Sequence, residues 1–288
     1  MNQAVARTVK DLNIDEVIIT YLKLDKATKR LSAGIYDTKN KCPLHLQTPW
    51  LITPFGPSYF DGGNKNLAEE TKAWGLDLKA QGVRDENVDD VVLFFKFLRE
   101  LDEKVIDYCI VNSQSIFKKK YDETQRQLVK DAFYGSGVKS SMAPDGTPYP
   151  DKFKGKLNRT QETLIPDLLL YKSNSNGDVD KLEINSYEEL QALLPKGGGC
   201  RGIIQPKVYF VNSKAGTNFK ICQLQLENKV KLGKLTTYAF SDAPVINKLN
   251  NLETVKIEEE THTPEETRVP EESDDESEAD SEVEVDDC

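Results

Sequence analysis

Apolar and polar residues alternate with a period of two at Trp74, Leu76 and Leu78, with Asp77 and Lys79 on the opposite face, and this predicts a half-buried strand. The run at 16–24, EVIITYLKL, predicts another, paired with 31–36 across the turn DKATKR. From residue 88 the period becomes helical. Val91, Phe94, Phe95, Leu98, Leu101, Val105 and Tyr108 form one broad apolar stripe, with Asn87 as N-cap and Asp89 and Asp90 in the first turn. Such a helix covers one face or end of a β structure. Asp122 with Gln125 three residues on predicts a second helix, ending near Phe133-Tyr134-Gly135, and the S-x-x-E box of Ser186 and Glu189 opens a short third one.

The rest of the chain reads as strands and loops. An apolar run at 165–171 is turned by SNSNGD, and the runs 203–211 and 217–226 flank polar NSKAG, so two hairpins are expected. Residues 135–160 read as a long loop followed by a short strand. Pro49, Pro54 and Pro57 interrupt the segment before Trp74, which excludes a central strand or a helix there; a surface loop containing Gly62 and Gly63 follows. The fold class is therefore mainly β with inserted helices (α+β). A closed or partly closed barrel is the economical way to place so many strands without exposed edges.

Charge changes this picture. Residues 258–288 hold sixteen Asp or Glu against one base, Arg268, whereas the whole chain holds 48 acids and 38 bases. Residues 1–257 thus carry 32 acids and 37 bases, so a weakly basic body (1–257) bears a polyanionic tail (258–288) with too little apolar surface to order itself. Five scattered cysteines without a CxxC pair fit a reducing compartment, and neither an apolar leader nor a run of about 20 apolar residues appears, so a soluble intracellular protein with no membrane partner is expected.

Catalytic chemistry is poorly represented. Only two histidines occur, and His262 lies in the tail, which leaves no His-based triad or His-rich metal site. GSGVKSS at 135–141 lacks the ending of a phosphate loop, NSNGDVDKLE at 174–183 misses the calcium-loop register, and KGGGCRG at 196–202 has no helix after it. No catalytic residue, metal or cofactor is expected. Basic and aromatic residues, by contrast, interleave. Residues 201–235 carry seven Lys or Arg against Glu227 alone; Lys207 and Tyr209 share a strand face, with Lys214, Phe219 and Lys220 following. Lys152, Lys154 and Lys156 alternate around Phe153 after Tyr149. Lys118, Lys119 and Lys120 follow the long helix, and Trp50, Phe55, Tyr59 and Phe60 cluster in the proline-broken segment, with Lys65 beyond. A basic groove that tracks phosphates, combined with rings on which bases stack, is what a single-strand binder requires.

TPWLITPFGPSYFDGG and the following AWGLDLKA resemble the TPW-x-x-x-PFG segment and L-x-L strand of the single-stranded-DNA-binding proteins of nucleocytoplasmic large DNA viruses, a family distantly similar to those of podophages. YPDKFKGKL, GIIQPKVYFVNSKAGTNFKICQLQL and the acidic end continue the likeness in order. The resemblance implies an OB-fold-like barrel with elaborated loops and no catalysis, coating single-stranded DNA at viral replication sites in the host cell. It further implies that the tail competes with DNA and contacts replication proteins such as polymerase or primase-helicase. The tails of the phage proteins end in an aromatic residue, whereas this chain ends Asp286-Asp287-Cys288. A homo-oligomer stays open. So do three rival readings: an acidic-tailed chaperone for basic proteins, a virion structural protein, and a metal-dependent nuclease. Ser273, Ser277 and Ser281 each precede an acid by three residues, the pattern acidophilic kinases favour, and phosphorylation there would deepen the tail's charge.

Overall fold

The computed structural model describes residues 5–24, 31–59, 73–82, 88–160, 165–173 and 178–227. All lie in the first of two units, Met1–Lys231; the second is Leu232–Cys288. The Asn87 cap, Phe60, Lys65 and the acidic tail with its expected boundary at 257/258 lie outside the described residues.

The first half of the chain contributes β1 (Val17–Ile19), β2 (Lys23–Leu24), β3 (Leu31–Asp37), β4 (Cys42–Pro43), β5 (Leu46–Gln47), β6 (Leu51–Ile52), β7 (Pro57–Tyr59) and β8 (Trp74–Gly82). The helices α1 (Val88–Val111), α2 (Ser113–Phe117) and α3 (Arg126–Phe133) follow together. Then come β9 (Tyr134–Gly135), β10 (Val138–Lys139), β11 (Lys152–Lys156), β12 (Leu169–Ser173), β13 (Val179–Leu182), α4 (Tyr187–Leu193), β14 (Gly199–Val211) and β15 (Lys214–Leu226).

Five of these strands close a ring. β6 is antiparallel to β8, β8 to β11, β15 to β14, and β14 to β6, while β11 runs parallel to β15. Numbered along the chain, the first strand pairs with the second and fourth, and the third lies parallel to the fifth. That is the OB-fold arrangement, so the barrel is closed and leaves no free edge within the ring. The remaining strands extend it: β3 pairs with β14 beyond the ring, and β12 and β13 continue from β15.

The β14–β15 hairpin turns at Asn212 and Ser213, both at positive φ (50° and 56°) as a two-residue I′ turn demands. The strands are therefore longer, and the connection tighter, than the five-residue loop NSKAG suggested. The proline-broken segment differs more. Leu51, fully buried, belongs to the two-residue strand that closes the barrel, between Pro49 and Pro54. Proline removes a donor only at its own position, and here both prolines flank the paired dipeptide; Thr48 and Thr53 still donate to the carbonyls of Gly202 and Gly198.

The α1 stripe is buried as the period requires, from Val91 through Phe94, Phe95, Leu98 and Leu101 to Val105, and it lies against β8 and β15. Phe94 and Phe95 meet Phe153 at centroid distances of 5.8 and 6.0 Å, and Phe153 meets Phe219 at 5.1 Å, so these rings join helix to barrel. Asp102 is the polar member of the buried face. It accepts hydrogen bonds from Tyr134 Oη and Ser136 Oγ (both 2.6 Å) and from the Gly137 amide (2.9 Å), tying α1 to the chain around β9. Asp122 and Gln125 form the expected capping box, on a 3-10 turn (Glu123–Gln125) that leads into α3, and Ser186 caps α4.

Candidate nucleic-acid interface

Alternation sorts each barrel strand into an inner and an outer set. On β11, Phe153 and Gly155 are buried, and Lys152, Lys154 and Lys156 face outward. Across the ladder Lys152 lies opposite Lys79, Lys154 opposite Asp77, and Lys156 opposite both Gly75 and Lys220. On β14, Lys207 is exposed and Tyr209 half-buried on the outer face, with Gln205 opposite Lys220 and Lys207 opposite Asn218. One outer wall, across β8, β11, β15 and β14, therefore collects Lys79, Lys152, Lys154, Lys156, Lys220 and Lys207.

Two of these lysines have acidic neighbours. Lys152 Nζ lies 3.0 Å from Asp77, and Lys220 Nζ 2.9 Å from Asp167. Lys154, although opposite Asp77, makes no ion pair among the described residues, and neither do Lys156, Lys207 or Lys214 beside the hairpin turn. Lys156 also lies beside Lys220 on the parallel strand β15, where Asp167 offsets the Lys220 charge and leaves that of Lys156 unmatched.

Rings border this row. The Phe55 ring, 58% exposed, has Lys152 Nζ 5.3 Å from its centroid. Tyr149 projects from the loop before β11 and is also exposed. Tyr209 lies opposite Gly216, and a Cβ at Gly216 or Gly135 would stand 2.6 or 2.7 Å from its hydroxyl oxygen. The two glycines thus let the Tyr209 ring lie flat across neighbouring strands. Burial, and then the negative charge of Asp102, push its phenol above the ordinary range, so it stays protonated as a hydrogen-bond donor. Trp50, before β6, packs against the Arg201 guanidinium at 5.0 Å.

Several expected contacts move. Phe153 and Phe219 are 0% and 1% exposed, and their rings fill the barrel instead of offering stacking surfaces. The strand period is the reason: a ring between two outward lysines must point inward. Tyr59 is half-buried and meets core Trp74 edge-on at 4.9 Å. Lys118, Lys119 and Lys120 follow α2, which touches β15; Lys118 adopts a left-handed conformation, and Lys119 Nζ sits 5.4 Å from the Tyr121 ring. Arg201 is the residue that sequence reasoning passed over, although it continues the alternate set to which Lys207 and Tyr209 belong. Among the described residues no group of three or more His, Cys, Asp or Glu could hold a metal ion, and no helix is long and apolar enough to cross a membrane.

Fold and surface together define an OB-fold-like barrel with a basic, aromatic-bordered wall. No family model and no curated protein matches the chain. Similar solved structures are phage single-stranded DNA-binding proteins. The protein of bacteriophage Enc34 in complex with ssDNA is 11% identical, over 67% of this chain and 89% of that one, with a TM-score of 0.36. The gp2.5 protein encoded by bacteriophage T7 is 14% identical, over 64% and 91%, with a TM-score of 0.35. A further structure of the Enc34 protein is 11% identical, over 73% and 89%, at 0.33.

Proposed function

We propose that this chain is a non-sequence-specific single-stranded DNA-binding protein that acts, without catalysis, in viral DNA replication, recombination or repair. It would belong to the large-DNA-virus family its segments resemble and work at replication sites in the host cell. The observation that carries this reading is the row of outward lysines across the second, third, fourth and fifth barrel strands, of which Lys154, Lys156 and Lys207 make no ion pair among the described residues, bordered by Phe55, Tyr149 and Tyr209. Strands two and three of an OB fold, with the loops after the first and fourth strands, are where such barrels take oligonucleotides. The lysines neutralise phosphates and release counterions, and the rings stack exposed bases whatever their identity.

The acidic tail has a role in the same reading. Tethered near the body, it competes with DNA at high effective concentration, yields to a long strand, and recruits replication proteins when displaced. The test compares the full chain with residues 1–257 on oligo-dT and duplex at matched salt. Truncation is expected to tighten single-strand binding and raise duplex binding. For the full chain, log K should fall linearly with log salt, by about 0.7 per phosphate contacted. A chain that binds histones but not oligo-dT would be a chaperone, and the proposal would fail.

A further inference from the structure

We infer that a cleft on the barrel wall, apart from the lysine row, takes one nucleobase of the bound strand between Tyr171 and Arg201. This rests on the single-strand reading above. Arg201 on β14 lies directly opposite Gln225 on β15, which in turn lies opposite Tyr171 on β12, so the three side chains form one line across three strands. Two strand spacings, about 10 Å, separate the outer members, and Gln225 forms the floor between them. The cleft has a volume of about 100 Å³, on the scale of a single base, and Gln47 and Gln223 are also in its lining.

The lining chemistry suits a base better than a phosphate. Its polar members are one guanidinium, one phenol and three neutral amides, with neither a lysine nor a carboxylate, and Ile203 and Leu224 add apolar surface. Arg201 is held in place on two sides. Its Nε donates to Gln225 Oε1 at 2.8 Å, and its guanidinium lies over the Trp50 ring. Gln225 Nε2 in turn donates to Ser173 Oγ at 3.0 Å, which fixes the amide. The terminal guanidinium nitrogens and the side-chain amides of Gln47 and Gln223 have no protein partner among the described residues, so donors and acceptors remain for a base edge. A guanidinium ordered in this way loses little freedom when a flat ring stacks on it. Tyr171, half-buried, supplies the opposite apolar face.

The chain supplies its own reporter. It has two tryptophans, and Trp74 is 4% exposed inside the core, so an emission change on binding reports Trp50. The experiment uses the full chain with two probes, an oligo-dT and an abasic tetrahydrofuran strand of the same length. Tyr171→Ala and Arg201→Lys, the second of which keeps the charge, are each expected to weaken oligo-dT binding roughly ten-fold, the scale of one lost base stack. Binding of the abasic strand should change less than about two-fold, because its phosphates meet the lysines. Lys154→Ala with Lys156→Ala should weaken both probes equally. Oligo-dT should quench the wild-type emission, the abasic strand should not, and Trp50→Phe should remove the quench. Equal losses on the two probes, or none, overturn the cleft and leave the single-strand reading standing. A wild-type chain that binds neither probe overturns both.

Discussion

The two sides of this barrel treat their cations differently. On the helical side the cations of α3, with Lys10 and Arg99, are matched to acids. Arg126 reaches Glu103 and Asp107 at 2.8 Å, Lys130 reaches Glu103 at 2.5 Å, Lys10 reaches Asp90 at 2.7 Å, and Arg99 pairs with Asp151. On the strand side Asp77 and Asp167 match Lys152 and Lys220, while Lys154, Lys156 and Lys207 stand in the same row without an ion pair among the described residues. Paired surface ions hold elements together modestly and cancel each other's field. An unmatched row keeps its potential, which steers and binds a polyanion. The contrast separates cations that serve the fold from cations left for a ligand.

Adjacent residues of one strand provide the largest test of that separation. Phe153→Ala removes a ring buried among Phe94, Phe95 and Phe219, and is expected to lower unfolding free energy by about 3–5 kcal/mol. The fraction that remains folded should bind oligo-dT as before. Lys154→Ala with Lys156→Ala is the inverse. Chemical denaturation should move by less than about 0.5 kcal/mol, while the slope of log K against log salt should fall by about 1.4, two phosphate contacts at 0.7 each. An unchanged slope would place the DNA elsewhere, and the row would need another explanation.

Much of this division could be read from local periods. The apolar stripe of α1, the caps at Asp122 and Ser186, and the shared face of Lys207 and Tyr209 all follow from spacing within one element. What escaped depends on partners distant in sequence. Leu51 and Ile52 look like a fragment between prolines until Cys200 and Gly199 arrive to pair with them. Asp102 looks like a solvent residue interrupting a stripe, and becomes buried because Tyr134, Ser136 and Gly137 supply its donors. Phe153 and Phe219 look by composition like rings among lysines, yet strand alternation sends a ring and its flanking lysines to opposite faces. The Trp50–Arg201 contact joins residues whose association required the ring to close.

The smallest expected effect lies on the helical side, and it concerns pH. The hydrogen bond from Lys130 holds the Glu103 carboxyl below its ordinary range; burial opposes the shift, and Arg126 adds to it. A carboxyl whose folded pKa lies below its unfolded one contributes stability that is complete above the unfolded value and disappears as pH falls through the folded one. Glu103 is 40% exposed, so solvent screening keeps the contribution to a few tenths of a kcal/mol. Thermal melts of Glu103→Gln and the wild type should differ slightly near neutrality and converge in acid. A difference that persists in acid would mean the carboxylate acts through neutral hydrogen bonding or packing, and the pairing on this side would not be electrostatic. Oligo-dT affinity near neutral pH should be the same in both proteins, because Glu103 and its cations stitch α1 to α3 and stand apart from the strand face. Were the substitution to change that affinity, freeing Lys130 and Arg126 would have made them DNA contacts, and the boundary between the two kinds of cation would have to move.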